Sequence, residues 1–232
     1  VLTMRDVLDI SAYLVIGPEN TKGRSVASVA KQALEAGFTC IQIRSKECSA
    51  RELIDCTRQV AQVIADLGKS DSVVLLVDDR LDVVLAAREQ GIKVDGIHVG
   101  QSDIPVEVCR KFLGESAVVG LSARVDEMLS YVKTADVSCV DYFGVGPLHE
   151  TATKTDCGLD KEGNFIIKTL DDIAELEKVS PVPIVVGGGV KAVDLPALKE
   201  TRIAGFFVVS AVCAAENPYA AAKELVDIWS AS

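Results

Sequence analysis

Short runs of aliphatic and β-branched residues recur along the chain, and a stretch with apolar residues at helical spacing follows each of them. Runs of this kind, bounded by glycine and polar residues, are typical of buried β-strands. The pattern predicts strands over residues 12–16, 39–44, 73–77, 96–99, 118–121, 142–145, 184–186 and 205–209. It predicts helices over residues 25–36, 49–67, 81–89, 105–113, 126–135, 167–178, 195–200 and 219–229.

The alternation of these elements indicates the architecture. Eight strand-then-helix units within 232 residues predict a single (β/α)8 TIM barrel domain, residues 1–232, with a parallel eight-stranded core. A doubly wound sheet is the competing fold, but no Gly-x-Gly-x-x-Gly follows the first strand. Ser49 and Glu52 predict a capping box at the second helix. Residues 36–38, 94–96, 140–142 and 204–206 resemble helix C-caps that lead into strands.

Composition and charge narrow the class of protein. Hydrophobic residues make up 49% of the chain and aromatic residues only 5%, which suits a parallel sheet covered by helices. The formal net charge is −10 and no basic stripe is present, so we expect no nucleic-acid partner. No apolar run approaches the ~20 residues of a membrane span, so no membrane partner is expected. Seven cysteines without Cys-x-x-Cys spacing favour reduced thiols and a cytoplasmic location, and assembly into a homo-oligomer stays open.

Polar residues lie at the end of the second predicted strand, where a barrel builds its site. Gln42, Arg44 and Lys46 alternate there, so extended backbone would place the three side chains on one side. Two cations at a strand end suit a diphosphate. The alternative is a solvated strand end, because lysine and arginine are mostly exposed.

The third and fourth strands end near acidic residues. Asp78 and Asp79 follow the third strand, and Asp103 lies in the loop after the fourth. Mg²⁺ takes one or two carboxylates together with substrate phosphates, so Asp79 and Asp103 are candidate ligands. The alternative is that each aspartate caps the helix after it. His98, in the fourth strand, is either a general base, a hydrogen-bond donor or a structural group.

The sixth strand runs into a polar loop. Gly144-Val145-Gly146-Pro147 leads to Thr151, Thr153 and Lys154. Hydroxyls, backbone N–H groups and one cation at the end of a buried strand are suited to an anion, although most Gly-Pro turns are only turns. His149, between these motifs, is predicted to have no catalytic role.

The remaining strand ends add small residues. Gly187-Gly188-Gly189 follows the seventh strand and Val209-Ser210 ends the eighth, where barrels often bind a phosphate. A tight turn is the alternative for the glycines, but three of them are costly in backbone entropy. Ser122 follows the fifth strand and could be a helix cap. The polar loop 156–164 is predicted to be mobile.

Taken in order, these motifs resemble those of the thiamine-phosphate synthase family, also called thiamine-phosphate pyrophosphorylase. The resemblance is collinear over nearly the whole chain and also implies a (β/α)8 barrel. It implies a transferase in which 4-amino-5-hydroxymethyl-2-methylpyrimidine diphosphate loses pyrophosphate in a Mg²⁺-assisted dissociative displacement. The freed methylene then bonds to the nitrogen of 4-methyl-5-(2-phosphooxyethyl)thiazole. The family commonly has Asn-Asp where this chain has Asp78-Asp79.

The family match also implies roles for individual residues. The catalytic residues would be Arg44, Lys46, Lys154 and Ser122. The residues that hold the pyrimidine diphosphate would be Gln42, Arg44, Lys46, Asp78, Ser122 and Lys154. The ligands of Mg²⁺ would be Asp79 and Asp103. The residues that hold the thiazole phosphate would be Thr151, Thr153, Gly188, Gly189, Val209 and Ser210.

Other functions would need different features of the sequence. A thiazole tautomerase-like or regulatory barrel would bind a phosphate without joining two heterocycles, but it would be expected to lose the basic second strand or the Thr-x-Thr-Lys loop. A sugar-phosphate aldolase would need a Schiff-base lysine on a strand, and no predicted strand contains a lysine. A sugar-phosphate isomerase and a pure binding module are the remaining alternatives.

Overall fold

Eight parallel strands form a closed barrel in a computed structural model that describes residues 1–123, 127–150, 162 and 168–232. Each strand pairs with the next in the sequence, and the last pairs with the first. The strands are β1 Ala12–Ile16, β2 Cys40–Ile43, β3 Val74–Asp78, β4 Gly96–Val99, β5 Val118–Ser122, β6 Tyr142–Val145, β7 Ile184–Val186 and β8 Gly205–Val208. The predicted (β/α)8 barrel is therefore confirmed.

Helices follow the strands around the barrel. In the described residues they are α1 Val26–Ala36, α2 Ala50–Asp66, α3 Leu81–Glu89, α4 Val106–Leu113, α5 Met128–Thr134, α6 Leu170–Val179, α7 Leu195–Glu200, α8 Ser210–Cys213 and α9 Pro218–Ala231. The predicted capping box starts α2, since Ser49 Oγ accepts from the N–H of Glu52 and the Glu52 carboxylate accepts from the N–H of Ser49. The short helix α8 and two 3₁₀ turns, Pro18–Asn20 and Ala192–Asp194, were not predicted.

The buried side chains form two layers. Leu14 and Ile16 of β1 belong to a large cluster between the barrel and its helices. Tyr13 and Val15, which alternate with them, belong to a smaller cluster that fills the barrel interior. This alternation follows from the period-two side-chain pattern of a strand, and the same strand therefore contributes to both layers.

The predicted C-caps are correct at one position of four. Gly37 ends α1 with a left-handed φ of 112°. The helices before the other three segments end earlier, at Glu89, Thr134 and Glu200. Asp95 and Asp141 instead accept the N–H groups of residues in the neighbouring strands β3 and β5. These aspartates therefore hold the amino end of the barrel together.

Two further features concern the whole described chain. No helix within the described residues combines the length and the hydrophobicity needed to cross a membrane. Six cysteines are described and all six are free thiols, three of them buried.

Candidate active site

The carboxyl ends of β2 and β3 carry a group of ion pairs. Arg44 Nε lies 3.4 Å from Oδ2 of Asp78, and Lys46 Nζ lies 3.9 Å from the same oxygen. Lys46 also donates a hydrogen bond to Oδ2 of Asp79. The side chain of Arg44 is only 12% exposed. The alternative of a solvated strand end is therefore wrong for Arg44. Arg44 and Lys46, which follow β2, both lie within 4 Å of Asp78, although the Lys46 side chain is 50% exposed.

The backbone of Asp79 turns sharply where β3 ends. Its φ is 62°, in the left-handed region, and its N–H donates to the carbonyl of His98 at 2.8 Å. Aspartate is one of the few non-glycine residues that adopt this conformation, and such strain persists only where surrounding contacts hold it. The turn places the Asp79 carboxylate against Lys46 and Asp103.

Asp79 and Asp103 interact directly, and their surroundings push their pKa values apart. Burial and the neighbouring Asp79 carboxylate raise the pKa of Asp103. Burial would also raise the pKa of Asp79, but hydrogen bonds from Lys46 and Asp103 hold it below its ordinary value. Burial would lower the pKa of Lys46, but its bond to Asp79 and the charge of Asp78 raise it. Two acids in contact beside the Lys46 ammonium group form a site that suits a hard cation.

Neither metal candidate caps a helix, so that alternative is wrong. Arg80 precedes α3 and Pro105 precedes α4, and neither helix has a side-chain cap. Oδ2 of Asp103 instead accepts the N–H of Gly100 at 2.8 Å, within its own loop. Among the described residues, no three His, Cys, Asp or Glu side chains are grouped so that they could hold a metal. Asp79 and Asp103 would therefore share a metal with oxygens from a substrate.

Ser122 and His98 meet on adjacent strands beside these acids. Ser122 Oγ lies 2.9 Å from Nε2 of His98, and Nδ1 of His98 lies 2.8 Å from the hydroxyl of Tyr142. Ser122 is not a helix cap, because α5 begins after Glu127. His98 is 5% exposed and hydrogen-bonded at both ring nitrogens, so its surroundings are those of a structural group, the last of the three alternatives.

Gln42 lies in the barrel interior and joins the hydrogen-bonded group of Ser122, His98 and Tyr142 through Tyr13. It is 2% exposed, and its Nε2 donates to the hydroxyl of Tyr13 at 2.6 Å. Tyr13 and Tyr142 were not predicted as part of the site. The available signal was a tyrosine in each of two predicted strands that are otherwise apolar, and this signal does not by itself show which residues the hydroxyls contact.

The glycines after β7 are required by the backbone and by a close approach. Gly188 and Gly189 have φ values of 87° and 73°. A Cβ atom on Gly188 would lie 2.6 Å from Cα of Pro147, and one on Gly189 would lie 3.0 Å from Cβ of His149. The loop after β6 therefore packs directly on the glycine loop. Both glycines have a steric explanation, and their binding of a phosphate stays a prediction.

The last predicted site residues divide between described and undescribed segments. Val209 follows β8, and Ser210 begins the four-residue helix α8. Thr151, Thr153 and Lys154 lie outside the described residues, as does nearly all of the predicted mobile loop 156–164. The structure therefore brings together the ends of β2 to β5, and the binding roles of all these residues stay predictions.

Comparisons with known proteins identify the family. A family model described as thiamine monophosphate synthase matches residues 12–212. A thiamine-phosphate synthase from Corynebacterium efficiens is 35% identical over 223 residues, which cover 96% of each chain. One from Desulfitobacterium hafniense is 35% identical over 228 residues, covering 96% of this chain and 98% of that one. A solved thiamine phosphate pyrophosphorylase from Pyrococcus furiosus has a TM-score of 0.78 and 25% identity, with 96% of each chain covered. With a model that spans the barrel from β1 to α8 and relatives of equal length, the chain belongs to the thiamine monophosphate synthase family.

Proposed function

We propose that this thiamine-phosphate synthase, a transferase, joins its phosphorylated pyrimidine and thiazole substrates at the carboxyl end of the barrel. The observation that carries the proposal is the convergence of Arg44 and Lys46 with Asp79 and Asp103 from three neighbouring strand ends. Cations suited to a diphosphate lie there beside acids suited to Mg²⁺. The tautomerase-like alternative is not favoured by the family's named members.

Arg44 and Lys46 would bind the diphosphate of the pyrimidine substrate. Their contacts with Asp78 and Asp79 hold both cations in place before a substrate arrives. As the carbon–oxygen bond breaks, negative charge grows on the leaving pyrophosphate, and fixed cations stabilise that charge without reorganising. Lys154, which lies outside the described residues, would add a third cation. Asp78 would act by orienting Arg44, its partner in this ion pair.

Asp79 and Asp103 would hold a Mg²⁺ ion. They fit this ion because they are carboxylates in contact with each other, beside the ammonium group of Lys46, with pKa values displaced in opposite directions. Bound there, the ion would supply further positive charge to the diphosphate oxygens. The left-handed turn at Asp79 and the Gly100 N–H at Asp103 set the positions of the two carboxylates.

The thiazole substrate would bind at the same carboxyl end of the barrel, on the side opposite the pyrimidine diphosphate; we call this end the mouth. Gly188 and Gly189 present backbone N–H groups without side chains, and Val209 and Ser210 lie at the neighbouring strand end. Thr151 and Thr153 would add hydroxyl donors to the thiazole phosphate. This division places the diphosphate over β2 to β5 and the monophosphate over β6 to β8, so that the thiazole nitrogen can reach the methylene as pyrophosphate leaves.

The proposal includes further predictions from the sequence. The reaction would be a dissociative displacement, and Gln42 and Ser122 would contact the pyrimidine substrate. The protein would be cytoplasmic and would have no nucleic-acid or membrane partner. Assembly into a homo-oligomer stays open. The formal net charge of −10 disfavours a nucleic-acid partner, and the anionic substrates would need the locally positive charge that Arg44, Lys46 and Lys154 would supply.

The test is a product assay on the purified chain. Thiamine phosphate and pyrophosphate are expected only when both substrates and Mg²⁺ are present. Arg44→Ala should raise KM for the pyrimidine diphosphate by at least about tenfold while KM for the thiazole phosphate changes little, because a charged contact contributes about 1.5–3 kcal/mol.

The matched control is Arg80→Ala. Arg80 is 36% exposed and its guanidinium pairs with Asp82 of α3 instead of with Asp78 or Asp79, so its removal should leave both KM values unchanged. Binding of the thiazole phosphate without product, despite ample Mg²⁺, would support the tautomerase-like alternative. Equal losses for both substrates in Arg44→Ala would contradict the proposed division of the mouth.

A further inference from the structure

A continuous chain of hydrogen bonds crosses the barrel interior beneath the proposed site. Gln42 Nε2 donates to Tyr13 Oη at 2.6 Å, and the two hydroxyls of Tyr13 and Tyr142 lie 2.6 Å apart. The Tyr142 hydroxyl lies 2.8 Å from Nδ1 of His98, and Nε2 of His98 lies 2.9 Å from Oγ of Ser122. The five residues come from five strands, β2, β1, β6, β4 and β5. We call this set the polar relay.

The interior of the barrel makes room for the polar relay at specific positions. A Cβ atom on Gly120 of β5 would lie 2.2 Å from Cζ of Tyr142. A Cβ atom on Gly144 of β6 would lie 3.2 Å from Cε1 of His98. Glycine in the middle of a strand weakens it, so each of these positions accommodates a ring at a cost in strand stability.

Burial of these polar groups also needs a reason. Tyr13 is 1% exposed, Tyr142 is fully buried and His98 is 5% exposed. Their neighbours in the interior cluster are mainly aliphatic, among them Val15, Leu76 and Val118. Polar groups are costly in such surroundings unless each one is hydrogen-bonded, and aliphatic side chains would fill the same space without that requirement. A role beyond packing explains why the polar groups are there.

The direction of the hydrogen bonds in the polar relay follows from the orientation of the Gln42 amide. In the structure Gln42 Nε2 donates to Tyr13, while the buried Oε1 has no partner among the described residues. In this orientation the single hydroxyl proton of Tyr13 goes to Tyr142. The Tyr142 proton then goes to Nδ1 of His98, which leaves the imidazole proton on Nε2 for donation to Ser122. Burial raises the pKa of both tyrosines well above its ordinary value, so both phenols stay neutral donors.

We propose that Tyr13, Tyr142 and His98 are positioning residues, which hold Ser122 so that its hydroxyl donates to the departing diphosphate. With the Gln42 amide in this orientation, Ser122 Oγ accepts from His98, so its own proton points elsewhere, and the anionic leaving group of the proposed reaction is the acceptor. The inference rests on the proposed function, since it needs the diphosphate next to Ser122. It adds that a donor on β5 is set by residues on four other strands.

A pair of substitutions at His98 tests the proposal. The amide nitrogen of glutamine can reach the place of imidazole Nε2, whereas that of asparagine reaches only the place of Nδ1. His98→Asn should therefore lose the bond to Ser122, and His98→Gln should keep it. We expect kcat to fall on the order of 10²-fold in His98→Asn and in Ser122→Ala, with both KM values little changed, because a single oriented donor has an effect of this size. His98→Gln should restore most of the lost rate.

A double-mutant cycle separates positioning from a general structural effect. Tyr142→Phe should lower kcat when Ser122 is present and should cause no further loss in the Ser122→Ala background. Tyr219→Phe, on the exposed face of α9, is the matched control and should change nothing. This cycle also decides the question if His98→Asn does not fold.

The outcomes keep the two hypotheses apart. Equal losses from Tyr142→Phe in both backgrounds, or full activity of His98→Asn, would overturn the positioning role while the synthase activity of the unmodified chain stands. A chain that makes no thiamine phosphate before any substitution would instead overturn the proposed function. A change confined to thermal stability, with kcat unaltered in Tyr142→Phe, would reduce the polar relay to packing.

Discussion

The two ends of the barrel both concentrate buried charge, and they differ in what surrounds their carboxylates. At the amino end, Asp141 accepts from Arg5 Nε at 2.6 Å, from Arg110 Nη2 at 3.0 Å and from the N–H of Val119 at 2.8 Å. Two guanidinium groups and a strand N–H thus converge on one acid. The charge is compensated by the protein itself.

At the amino end two guanidinium groups contact one carboxylate, whereas at the carboxyl end two carboxylates lie beside the ammonium group of Lys46. Asp79 and Asp103 lie against each other with Lys46 as their ammonium partner, and burial together with Asp79 raises the pKa of Asp103. An acid surrounded by arginines and backbone N–H groups stabilises the fold, whereas an acid placed against another acid favours a cation from outside. The same residue types therefore perform different tasks at the two ends.

The largest expected effect is at the carboxyl end. Asp103→Ala should lower kcat with Mg²⁺ on the order of 10³–10⁴-fold, because it removes one of the two proposed ligands and the charge stabilisation that a metal provides. The measurement is steady-state turnover over a Mg²⁺ titration, with circular dichroism to show that the barrel is intact. Asp82→Ala is the control, since Asp82 is exposed and pairs with Arg80. Near-normal turnover in Asp103→Ala would mean that this aspartate serves only its own loop.

The amino end should respond in stability and not in rate. Asp141→Ala should lower the free energy of unfolding by about 3 kcal/mol, because Arg110 stays buried without its carboxylate. The kcat of the folded protein should be unchanged. Glu115→Ala is the control: Glu115 also contacts Arg5, at 3.5 Å, but is 89% exposed, so its loss should change stability by at most about 0.5 kcal/mol. Urea denaturation measures both variants, and a selective loss of kcat in Asp141→Ala would show that the two ends are coupled.

Local pattern was enough to predict the strands. The predicted limits of β1, β4, β6 and β7 match the structure, because strands buried on both faces of a parallel barrel are mainly apolar and short. The closed order of strands followed from the strict alternation with helices. Arg44 and Lys46 were also correctly placed at a strand end, since alternation along β2 depends only on extended backbone.

The choice between caps and ligands could not be made from the sequence. It depended on whether α3 begins directly after Asp79 or after Arg80, and α4 after Asp103 or after Pro105, differences of one or two residues. The tyrosine pair was missed for another reason. Tyr13 and Tyr142 are 129 residues apart in the sequence, and only closure of the barrel brings their hydroxyls together. The strand-starting aspartates were mistaken for caps because their acceptor role depends on the adjacent strand.

The smallest expected effect tests the amino end through pH. Asp95 accepts from the N–H of Leu75 and from Lys93, each at 2.8 Å, yet burial raises the pKa of its carboxyl. The folded chain therefore binds a proton at pH values where the unfolded chain has released it, and the contribution of Asp95 to stability falls as pH rises between the two pKa values. Asp95→Asn keeps an oxygen acceptor and removes the ionisation, so its free energy of unfolding at neutral pH should lie within about 1 kcal/mol of the unmodified chain.

The sign of the pH response distinguishes this buried acid from an exposed one. As pH falls, the difference in unfolding free energy between Asp95→Asn and the unmodified chain should shift in favour of the unmodified chain, because protonation relieves the buried charge. Asp82→Asn should shift the opposite way, since the hydrogen bond from Arg80 lowers the pKa of Asp82 and its contribution is lost on acidification. Urea denaturation at neutral pH and at pH values down to about 3 measures both differences, because the Asp82 contribution is lost only below the unfolded aspartate pKa of about 3.9. If both variants shifted in the same direction, the contacts with Lys93 and the N–H of Leu75 would outweigh burial at Asp95, and the pKa of its carboxyl would be lowered.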